Sequence, residues 1–594
     1  MERLKKGLTI INKYKGWCAL VLCPVIHFYL LEAYTHNGFA EVRHWSQVFN
    51  ILLFEITAWI LFLVFRSVRA ALWTQGACAM VLGLVNYYVY TFRSLPLVPW
   101  DLLSVGTAAG VAGNYDFTPS VRVVLVVLGF VAVFILEGFC RIDTKKWKLR
   151  YSLPAALAFS IVLGVFSGVL QQEDFQNRHM MYNKLFTPVF MWQVNGFALT
   201  MVMELPYLAV DRPSGYQREE AKELLASYEE KADEGESAEK PNIIVIMDEA
   251  FSDLGVLGDF EPTMDYMPCF HSLMEESKTA ANMISGALHV SVCGGNTANT
   301  EFEFLTGNSM AFLPQGSIPY QQYIKNTIPA LPGYLKEQGY ETYAMHPYYA
   351  SGWDRDTVYP LLGFSHMEFL SDFERREYIR EYVSDQSCVD KIIDTFEQKK
   401  EDKPMFLFHV TMQNHGAYST VYDNFTPDIT VDKTSSYALA TYLSLIKRTD
   451  EAFHFLLSYF EKESEPVMVV FFGDHQPNDA VAEPILRLNG MSYRTLSEEQ
   501  MRLRYQVPYL IWANFPLKGN TQNVDTSANY LGAKVLEAAG IKLPAYQSFL
   551  SELSESCPLI TAVRQDGSVE EADKIENYKK LQYYQLFDFQ EERR

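Results

Sequence analysis

Hydrophobic residues crowd the first 171 positions of this chain and become sparser afterwards. Five apolar stretches in that part each approach the roughly 20 residues that a helix needs to cross the ~30 Å hydrocarbon layer of a membrane. They cover residues 17–35, 47–65, 70–92, 122–139 and 152–170. Because four comparable stretches follow the first one, we expect it to remain as a span rather than to be removed as a signal peptide. The pattern predicts a transmembrane domain of five helices over residues 1–171.

A sixth apolar run, Pro188–Val210, is interrupted by Gln193, Asn195, Glu204 and Pro206. Its aromatic and methionine residues suit a segment that lies at the level of the lipid headgroups, so we predict an interfacial helix here. A sixth span is the alternative, and it would place the rest of the chain on the same side of the membrane as the amino terminus.

Lys and Arg residues are distributed unevenly between the apolar stretches, and they mark the cytoplasmic side because they resist translocation. One side of the predicted bundle has twelve of them: Arg3, Lys5, Lys6, Lys13, Lys15, Arg66, Arg69, Arg141, Lys145, Lys146, Lys148 and Arg150. The other side has Arg43 and Arg93, with Arg122 at the edge of a span. The distribution predicts a multi-pass cell-membrane protein with a cytoplasmic amino terminus and an extracellular carboxyl-terminal part.

The charge of the chain is divided in the same way. The whole chain has 50 basic and 71 acidic residues, of which residues 1–171 contain 15 and 8, so the remainder has a net charge of −28. This balance argues against nucleic acid or an anionic membrane surface as a broad electrostatic partner. An anionic substrate would have to be held by a local metal ion or by a few cationic side chains.

Residues 172–240 contain the sixth run and then Asp211–Lys240, which has ten acidic and five basic residues and almost no apolar periodicity. This composition is typical of an exposed linker, with a helix predicted over Arg218–Lys231.

Beyond Pro241 the pattern changes to short apolar runs separated by amphipathic segments such as Ser436–Phe460. The runs are Asn242–Met247, Glu341–Met345, Met405–Thr411, Val467–Phe472 and Val507–Ala513. They are typical of buried parallel strands. An α/β domain is therefore predicted over residues 241–594, and ligand sites in such domains collect beyond the carboxyl ends of the strands.

Polar residues follow two of these runs directly. Asp248 and Glu249 come after the first run, and Asp474 and His475 come after the fourth. A carboxylate at a strand end commonly caps a neighbouring helix, which is the alternative for either pair. Together, carboxylates and an imidazole at one sheet edge form a hard oxygen and nitrogen site suited to Mn²⁺, Mg²⁺ or Zn²⁺.

A further candidate lies in the segment that begins with Cys293, two glycines and Asn296 and continues with Thr297. A glycine pair permits a tight turn, and the free N–H groups at the start of a helix favour a phosphate or sulfate ester. The hydroxyl of Thr297, beside a metal that lowers its pKa, is a candidate nucleophile. An ordinary helix cap is the alternative on local sequence alone.

Five motifs in this order resemble those of the lipoteichoic acid synthase family, which are membrane-bound phosphoglycerol transferases of the sulfatase and alkaline phosphatase superfamily. They are PNIIVIMDEAF around Glu249, GGNTANTEFEFLTG around Thr297, MHPYYASGWDRDTVY with His346, Trp353 and Arg355, MQNHGAY with His415, and FFGDHQP with Asp474 and His475. The resemblance covers nearly the whole chain and implies an extracytoplasmic sulfatase-like α/β/α domain. The chain departs from the family at Asn296, where the synthases have a lysine, and this leaves the substrate open.

The resemblance also implies roles for individual residues. Those that would hold one Mn²⁺ are Glu249, Thr297, Asp474 and His475, and those that would line the glycerol phosphate pocket are His346, Trp353, Arg355 and His415. Arg355 suits a bidentate contact to phosphate, and His415 suits protonation of a leaving alkoxide and later deprotonation of an incoming hydroxyl. Taken singly, His415 is as readily a structural histidine, and Trp353 a core residue.

Location constrains the donor, because lipid phosphodiesters are available outside the cytoplasm and nucleotide-activated substrates generally are not. We expect Thr297 to attack the phosphorus of phosphatidylglycerol, giving a glycerophosphoryl-threonine intermediate that passes its group to a polyglycerolphosphate chain, a glycolipid or a glycan. A phosphoethanolamine transferase with a similar plan is an alternative. A sulfatase-like hydrolase is a weaker one, because a sulfatase needs a Cys or Ser in a C/S-x-P-x-R context and Gly294 follows Cys293 instead.

Overall fold

The computed structural model describes residues 2–93, 96–99, 101, 117–142, 149–183, 188–208, 210–231, 240–314, 316–400, 403–493, 495–519, 522–567 and 571–589. The basic residues Lys145, Lys146 and Lys148, and residues 232–239 of the expected linker, lie outside these ranges. The chain forms two compact units, an amino-terminal one that ends at Ala209 and a carboxyl-terminal one that begins at Val210.

The amino-terminal unit is helical in the part that the structure describes. Its helices are α1 (Glu2–Glu32), α2 (His44–Phe65), α3 (Val68–Arg93), α4 (Val121–Gly138), α5 (Leu149–Leu170), α6 (Glu173–Arg178), α7 (Pro188–Asn195) and α8 (Phe197–Glu204). By length and composition, five of these described helices, α1 to α5, contain segments long and apolar enough to cross a membrane. The predicted five apolar helices are confirmed, and they fit a multi-pass membrane protein.

The sixth apolar run forms two short helices, α7 and α8, rather than one. The chain breaks at Gly196, whose φ of +82° lies in a region that glycine adopts easily. At the start of α8, the amide of Phe197 donates to the carboxylate of Glu32 at 2.8 Å, and the amide of Leu199 donates to Asn50 at 2.9 Å. These side chains satisfy N–H groups that have no partner within the helix. With eight residues each, neither helix can span a membrane alone.

The carboxyl-terminal unit is built on a mixed sheet with helices on both faces. Its strands are β1 (Asn242–Asp248), β2 (Met283–His289), β3 (Glu341–Met345), β4 (His366–Glu368), β5 (Tyr378–Ile379), β6 (Tyr382–Val383), β7 (Met405–Val410), β8 (Val467–Gly473), β9 (Gln506–Ala513) and β10 (Thr526–Ser527). Among the described residues, eight strands form one sheet in the order β10-β2-β9-β8-β1-β7-β3-β4, and β5 and β6 form a separate hairpin.

The helices of this unit connect the strands. They are α9 (Arg218–Lys231), α10 (Pro268–Glu276), α11 (Thr297–Thr306), α12 (Pro319–Gln322), α13 (Leu331–Glu337), α14 (Arg355–Leu362), α15 (Asp385–Gln398), α16 (Tyr437–Phe460), α17 (Asp479–Leu488), α18 (Glu498–Arg502), α19 (Ala528–Ala539), α20 (Ala545–Ser556) and α21 (Ala572–Tyr583). The predicted α/β class is confirmed, and Ser436 caps α16 by accepting a hydrogen bond from the amide of Leu439.

Two features of the sheet differ from the sequence-based expectation. The run Val507–Ala513 forms most of β9, which is antiparallel to both β8 and β2 rather than parallel. β2 was not expected, because Ser285 and Gly286 interrupt its apolar pattern. Gly286 is required there, since a Cβ atom would lie 2.5 Å from the carbonyl oxygen of Val524.

Both faces of the central strands are buried, which explains their continuous apolar sequence. Along β1, Ile243 and Val245 belong to one hydrophobic cluster, whereas Ile244 and Ile246 belong to another on the opposite face. Strand side chains alternate between faces, so a strand covered on both sides needs apolar residues at successive positions. The result is a three-layer α/β/α arrangement.

The predicted helix Arg218–Lys231 is confirmed as α9, but this part of the expected linker is not a free connection. Tyr216 and Ala221 are buried in a cluster with residues of α20 and α21. The hydroxyl of Tyr216 donates to Asp588 at 2.5 Å, and that of Tyr228 donates to Glu552 at 3.1 Å. These contacts could hardly be predicted from the sequence, because the many charged residues of α9 make its apolar positions difficult to recognise as a buried face.

Candidate active site

The candidate residues converge on one edge of the sheet. Strands β3, β7, β1 and β8 are adjacent and mutually parallel, so their carboxyl ends lie at the same edge. His346 follows β3, His415 lies in the loop after β7, Glu249 follows β1, and Asp474 follows β8. Strand β2 runs in the same direction as these strands, because β9 is antiparallel to both β2 and β8. The loop after β2 therefore brings Thr297 to this edge as well.

Thr297 is the first residue of α11 rather than its cap. Asn296 occupies the cap position with a φ of +67°, after Gly294 and Gly295 at +72° and +153°. These left-handed residues turn the chain sharply before the helix begins. The Thr297 side chain is 7% exposed, and its hydroxyl lies 3.4 Å from Oε2 of Glu249. The helix-cap alternative for Thr297 is therefore wrong.

Glu249, Asp474 and His475 form the one group in the described residues with ligand atoms clustered closely enough for a metal ion. One ligand atom of each lies within 4.8 Å of the others, and all three residues are buried. Nε2 of His475 is 3.2 Å from Oδ2 of Asp474 and 3.8 Å from Oε1 of Glu249. Nδ1 of His475 lies 2.9 Å from the carbonyl oxygen of Gln476, which can only accept. Nδ1 therefore carries a hydrogen and donates it to that carbonyl oxygen, which leaves Nε2 facing the two carboxylates.

This cluster fits a divalent cation. Oδ2 of Asp474 and Nε2 of His475 are buried without a hydrogen-bond partner among the described residues. Electron-rich atoms this close repel one another unless a cation or a proton lies between them. Burial, together with the charge of Asp474, raises the pKa of Glu249, and burial raises the pKa of Asp474. A bound cation would remove this penalty, because it favours the ionised form of both carboxyls.

The backbone around the cluster is closely packed. Gly473 lies so near the next turn that a Cβ atom would be 1.9 Å from the carbonyl oxygen of Phe251. Oδ1 of Asp474 accepts from the amides of Ala250 and His475, both at 2.7 Å. These bonds leave Oδ2 facing the cluster. The glycine in the Gly473-Asp474-His475 motif is thus a packing requirement.

Arg355 and His346 are buried and hydrogen-bonded to other protein groups. Nε of Arg355 donates to Glu301 at 3.1 Å, Nη2 also pairs with Glu301, and Nη1 donates to Nε2 of His346 at 3.0 Å. Nδ1 of His346 donates to the carbonyl oxygen of Val410 at 2.9 Å, so both ring nitrogens are engaged. Burial, followed by the charge of Arg355, lowers the pKa of His346 and keeps it neutral. A phosphate contact by Arg355 stays a prediction, and it would need an N–H group that Glu301 and His346 do not use.

His415 is held by the hairpin of β5 and β6. Its Nδ1 lies 2.9 Å from the hydroxyl of Tyr382. Arg380, buried at the turn with a φ of +58°, donates to three carbonyl oxygens of the His415 loop: Gln413 at 2.7 Å, His415 at 2.7 Å and Gly416 at 2.8 Å. Partial burial and the positive charge of Arg380 lower the pKa of His415 to about 3, so its imidazole is neutral at physiological pH.

Trp353 lies in a strained turn beside these residues. Trp353 and the following Asp354 have φ values of +57° and +56°, although neither is a glycine. Consecutive left-handed residues of this size cost energy and persist where the surroundings hold them, which is common at functional sites. The Trp353 side chain is partly buried against the core of the domain, so its pocket role stays a prediction.

Sequence reasoning missed three residues that organise this site. Glu301 could have been identified from the sequence, because it lies one helical turn after Thr297 in the motif GGNTANTEFEFLTG. Arg380 and Tyr382 carried none, since they belong to a short hairpin without a periodic pattern. Their role depends on a loop more than thirty residues away in the chain.

The chain is similar in sequence to several known proteins. The sequence profile of the sulfatase family matches residues 241–541. A putative cyclic beta-1,2-glucan modification protein of Rhizobium meliloti is 29% identical over 526 residues, covering 82% of this chain and 76% of that protein. Lipoteichoic acid synthase of Staphylococcus aureus is 26% identical over 187 residues, covering 30% of this chain and 28% of that protein.

A similar fold occurs in a solved structure of a phosphoglycerol transferase, GacH, from Streptococcus pyogenes in complex with sn-glycerol-1-phosphate. The likeness covers 64% of this chain and 95% of that one, with a TM-score of 0.52 and 23% sequence identity. At this identity the likeness concerns the fold alone.

Proposed function

The chain belongs to the sulfatase family, and on that premise we propose that it transfers glycerol phosphate from phosphatidylglycerol to an acceptor at the cell surface. One observation carries the proposal: the buried hydroxyl of Thr297 lies 3.4 Å from Glu249, beside the cation-binding cluster and at the start of a helix. Free N–H groups at such a helix start favour a phosphate. The sequence similarity to a lipoteichoic acid synthase supports a transfer of this kind.

In the first step, Oγ1 of Thr297 gives its proton to the carboxylate of Glu249, to which it donates at 3.4 Å, and attacks the phosphorus of the lipid. A bond forms between Oγ1 and phosphorus, the bond from phosphorus to the diacylglycerol oxygen breaks, and diacylglycerol leaves with a proton. His415 supplies that proton once the negative charge of the bound phosphodiester has raised its affinity for protons. The product on the enzyme is a glycerophosphoryl-threonine.

In the second step, an acceptor hydroxyl attacks the same phosphorus and gives its proton to His415. The bond from phosphorus to Oγ1 breaks, and Thr297 regains the proton that it lost in the first step. Both steps build negative charge on the phosphoryl oxygens. Arg355, which Glu301 and His346 hold in place, would offset that charge through the N–H groups that these two partners do not use.

Glu249, Asp474 and His475, with the hydroxyl of Thr297, are the residues that would hold a divalent cation. When bound, it lowers the pKa of the attacking hydroxyl and offsets the phosphoryl charge. We propose Mn²⁺ as this ion, with Mg²⁺ or Zn²⁺ as substitutes. Its identity is open to direct metal analysis of the purified protein.

The proposed orientation places the amino terminus in the cytoplasm and the carboxyl-terminal unit outside. It rests on the Lys and Arg distribution between the spans. Attachment to the membrane raises the effective concentration of a lipid donor near the site. This gives the five apolar helices a function besides anchoring.

The test compares Thr297→Ala with Thr297→Ser in the purified full-length protein, with fluorescent phosphatidylglycerol and Mn²⁺. We expect the alanine variant to release no diacylglycerol and the serine variant, which keeps a hydroxyl, to retain part of the activity. Unchanged thermal unfolding of both variants is the control for folding. Diacylglycerol release by the alanine variant at the normal rate would exclude Thr297 as the nucleophile.

A further inference from the structure

A continuous row of aromatic rings leads from the two histidines of the site to the surface. The ring of Tyr382 lies 5.2 Å from that of His415, and the ring of Tyr348 lies 6.3 Å from Tyr382 and 6.1 Å from His346. Tyr349 stacks edge-on against Tyr348 at 4.9 Å, and its side chain is 49% exposed. We call Tyr348, Tyr349 and Tyr382 the tyrosine rim.

The backbone holds the outer part of this rim in place. The amide of Tyr348 donates to the carbonyl oxygen of His346 at 2.7 Å, and the carbonyl of Tyr348 accepts from Leu370 at 3.0 Å. The carbonyl of Tyr349 accepts from Gly352 at 3.0 Å, at the start of the strained turn with Trp353. An aromatic side chain on a fixed backbone loses little freedom when a ligand packs on it, which makes it an efficient contact.

Exposed carboxylates outnumber exposed cationic side chains beside the rim. Chain segment 370–382 lies next to the rim at both of its ends. The amide of Leu370 donates to Tyr348, and the ring of Tyr382 packs near that of Tyr348. Its exposed charged residues in the described structure are Asp372, Glu374, Glu377, Glu381, Arg375 and Arg376. With the buried Arg380 included, the segment has four acidic and three basic residues, and this small negative excess has the same sign as the net charge of −28 beyond residue 171. A polyanionic acceptor chain would be repelled here, whereas a neutral acceptor would not.

From these observations we infer that the tyrosine rim is the acceptor subsite and that the acceptor is a neutral glycan. The C–H face of a pyranose ring packs on the exposed ring of Tyr349, and sugar hydroxyls donate to the neighbouring carboxylates. A sugar hydroxyl then reaches the phosphorus on Thr297 along the row of rings and gives its proton to His415, as in the second step above. This inference rests on the proposed function and narrows its three acceptor classes to one.

The experiment uses full-length protein, Mn²⁺ and vesicles of phosphatidylglycerol labelled in the glycerol headgroup. Three labelled products are measured. They are free glycerol phosphate from transfer to water, a labelled short neutral β-glucan oligosaccharide and a labelled glycerol phosphate oligomer. The variants are Tyr349→Ala and Tyr349→Trp, with Phe455→Ala as a control at an exposed aromatic residue of α16.

We expect the native protein to label the neutral oligosaccharide in preference to the anionic oligomer. Tyr349→Ala should raise the KM for the oligosaccharide by about fivefold, the loss of one aromatic contact, and Tyr349→Trp should restore it. Phe455→Ala should behave as the native protein.

Two results would overturn the inference alone: preferential labelling of the anionic oligomer, or an unchanged KM in Tyr349→Ala. If Tyr349→Ala instead slowed release from vesicles but not from detergent-dispersed lipid, the rim would be a membrane contact and the inference would be wrong. Failure of the native protein to release any labelled headgroup would refute the proposed function and this inference together.

Discussion

At the scale of single residues, burial determines the chemistry of the candidate site. Glu249 and Asp474 are ordinary carboxyls in sequence, yet burial raises the pKa of both, and each faces His475 across a few ångströms. Thr297 has an ordinary hydroxyl, which becomes a candidate nucleophile because the start of α11 holds it against Glu249. The reactivity expected of these residues therefore depends on their burial.

A first prediction concerns the metal and Asp474. In Asp474→Asn, the remaining Oδ1 still accepts from Ala250 and His475, but the ligand oxygen is lost. After chelation, we expect the variant to unfold at a temperature no lower than the native protein, because one buried negative charge is gone. Addition of Mn²⁺ should raise the unfolding temperature of the native protein and not that of the variant.

The matched control for this prediction is Asp428→Asn, which removes an exposed carboxylate of the same domain. It should respond to Mn²⁺ as the native protein does. Equal responses of the native protein and Asp474→Asn would show that Asp474 is not a ligand.

A second prediction concerns His271, which lies outside the candidate site. A hydrogen bond to Asp253, opposed by burial and supported by Asp265 at 3.0 Å, raises the pKa of His271 to about 9. The folded pKa is above the unfolded value of about 6.5, so the stabilisation is full below pH 6.5 and is lost as the pH rises through 9.

His271→Gln should therefore lower the unfolding temperature at pH 6 more than at pH 10. The contribution is reduced by solvent, because the His271 side chain is 37% exposed. Thermal unfolding of both proteins across this range is the measurement, and a difference independent of pH would contradict the assignment.

At the scale of elements, the short β5–β6 hairpin holds the Gln413–Gly416 loop, which follows β7, in place. Arg380 donates to three carbonyl oxygens of the Gln413–Gly416 loop, and Tyr382 contacts the His415 ring. The planar guanidinium reaches all three acceptors at once, which a lysine ammonium cannot do with the same geometry. Arg380 and Tyr382 are thus positioning residues for His415.

The corresponding prediction is that Arg380→Lys lowers kcat by about tenfold, because the proton-transferring ring is displaced, with a smaller change in KM for the donor. Stabilisation by Mn²⁺ should persist, since the metal cluster is on other strands. Arg376→Lys, at an exposed neighbouring arginine, should have native kinetics. Loss of the Mn²⁺ response in Arg380→Lys would indicate a general structural defect instead of a positioning role.

At the scale of the whole molecule, a helical unit with five candidate spans precedes an α/β unit of the sulfatase family. Such an arrangement has a function only if the α/β unit faces the compartment that holds its donor and acceptor. The proposed extracellular location is therefore as important to the assignment as the site itself.

Cysteine accessibility tests this orientation. We expect a membrane-impermeant maleimide to label Val421→Cys, at a position 75% exposed in the α/β unit, in intact cells. Arg66→Cys, between the second and third spans, should be labelled only after the cells are opened. The native protein provides the background from its own cysteines. The reverse pattern would place the α/β unit in the cytoplasm.

The sequence by itself determined the five apolar helices, the α/β class and the polar residues that follow the strands, because each is encoded locally. A span needs a long apolar stretch, and a strand buried on both faces needs an apolar run. The residues that follow such a strand lie at the edge of the sheet, as Glu249 and Asp474 do. Only the tertiary structure decided the reversed direction of β9, the docking of α9 through Tyr216, and the pairing of Arg355 with Glu301. It also brought Arg380 to the His415 loop. These depend on contacts between residues far apart in the chain, and no local pattern shows which residue pairs with which.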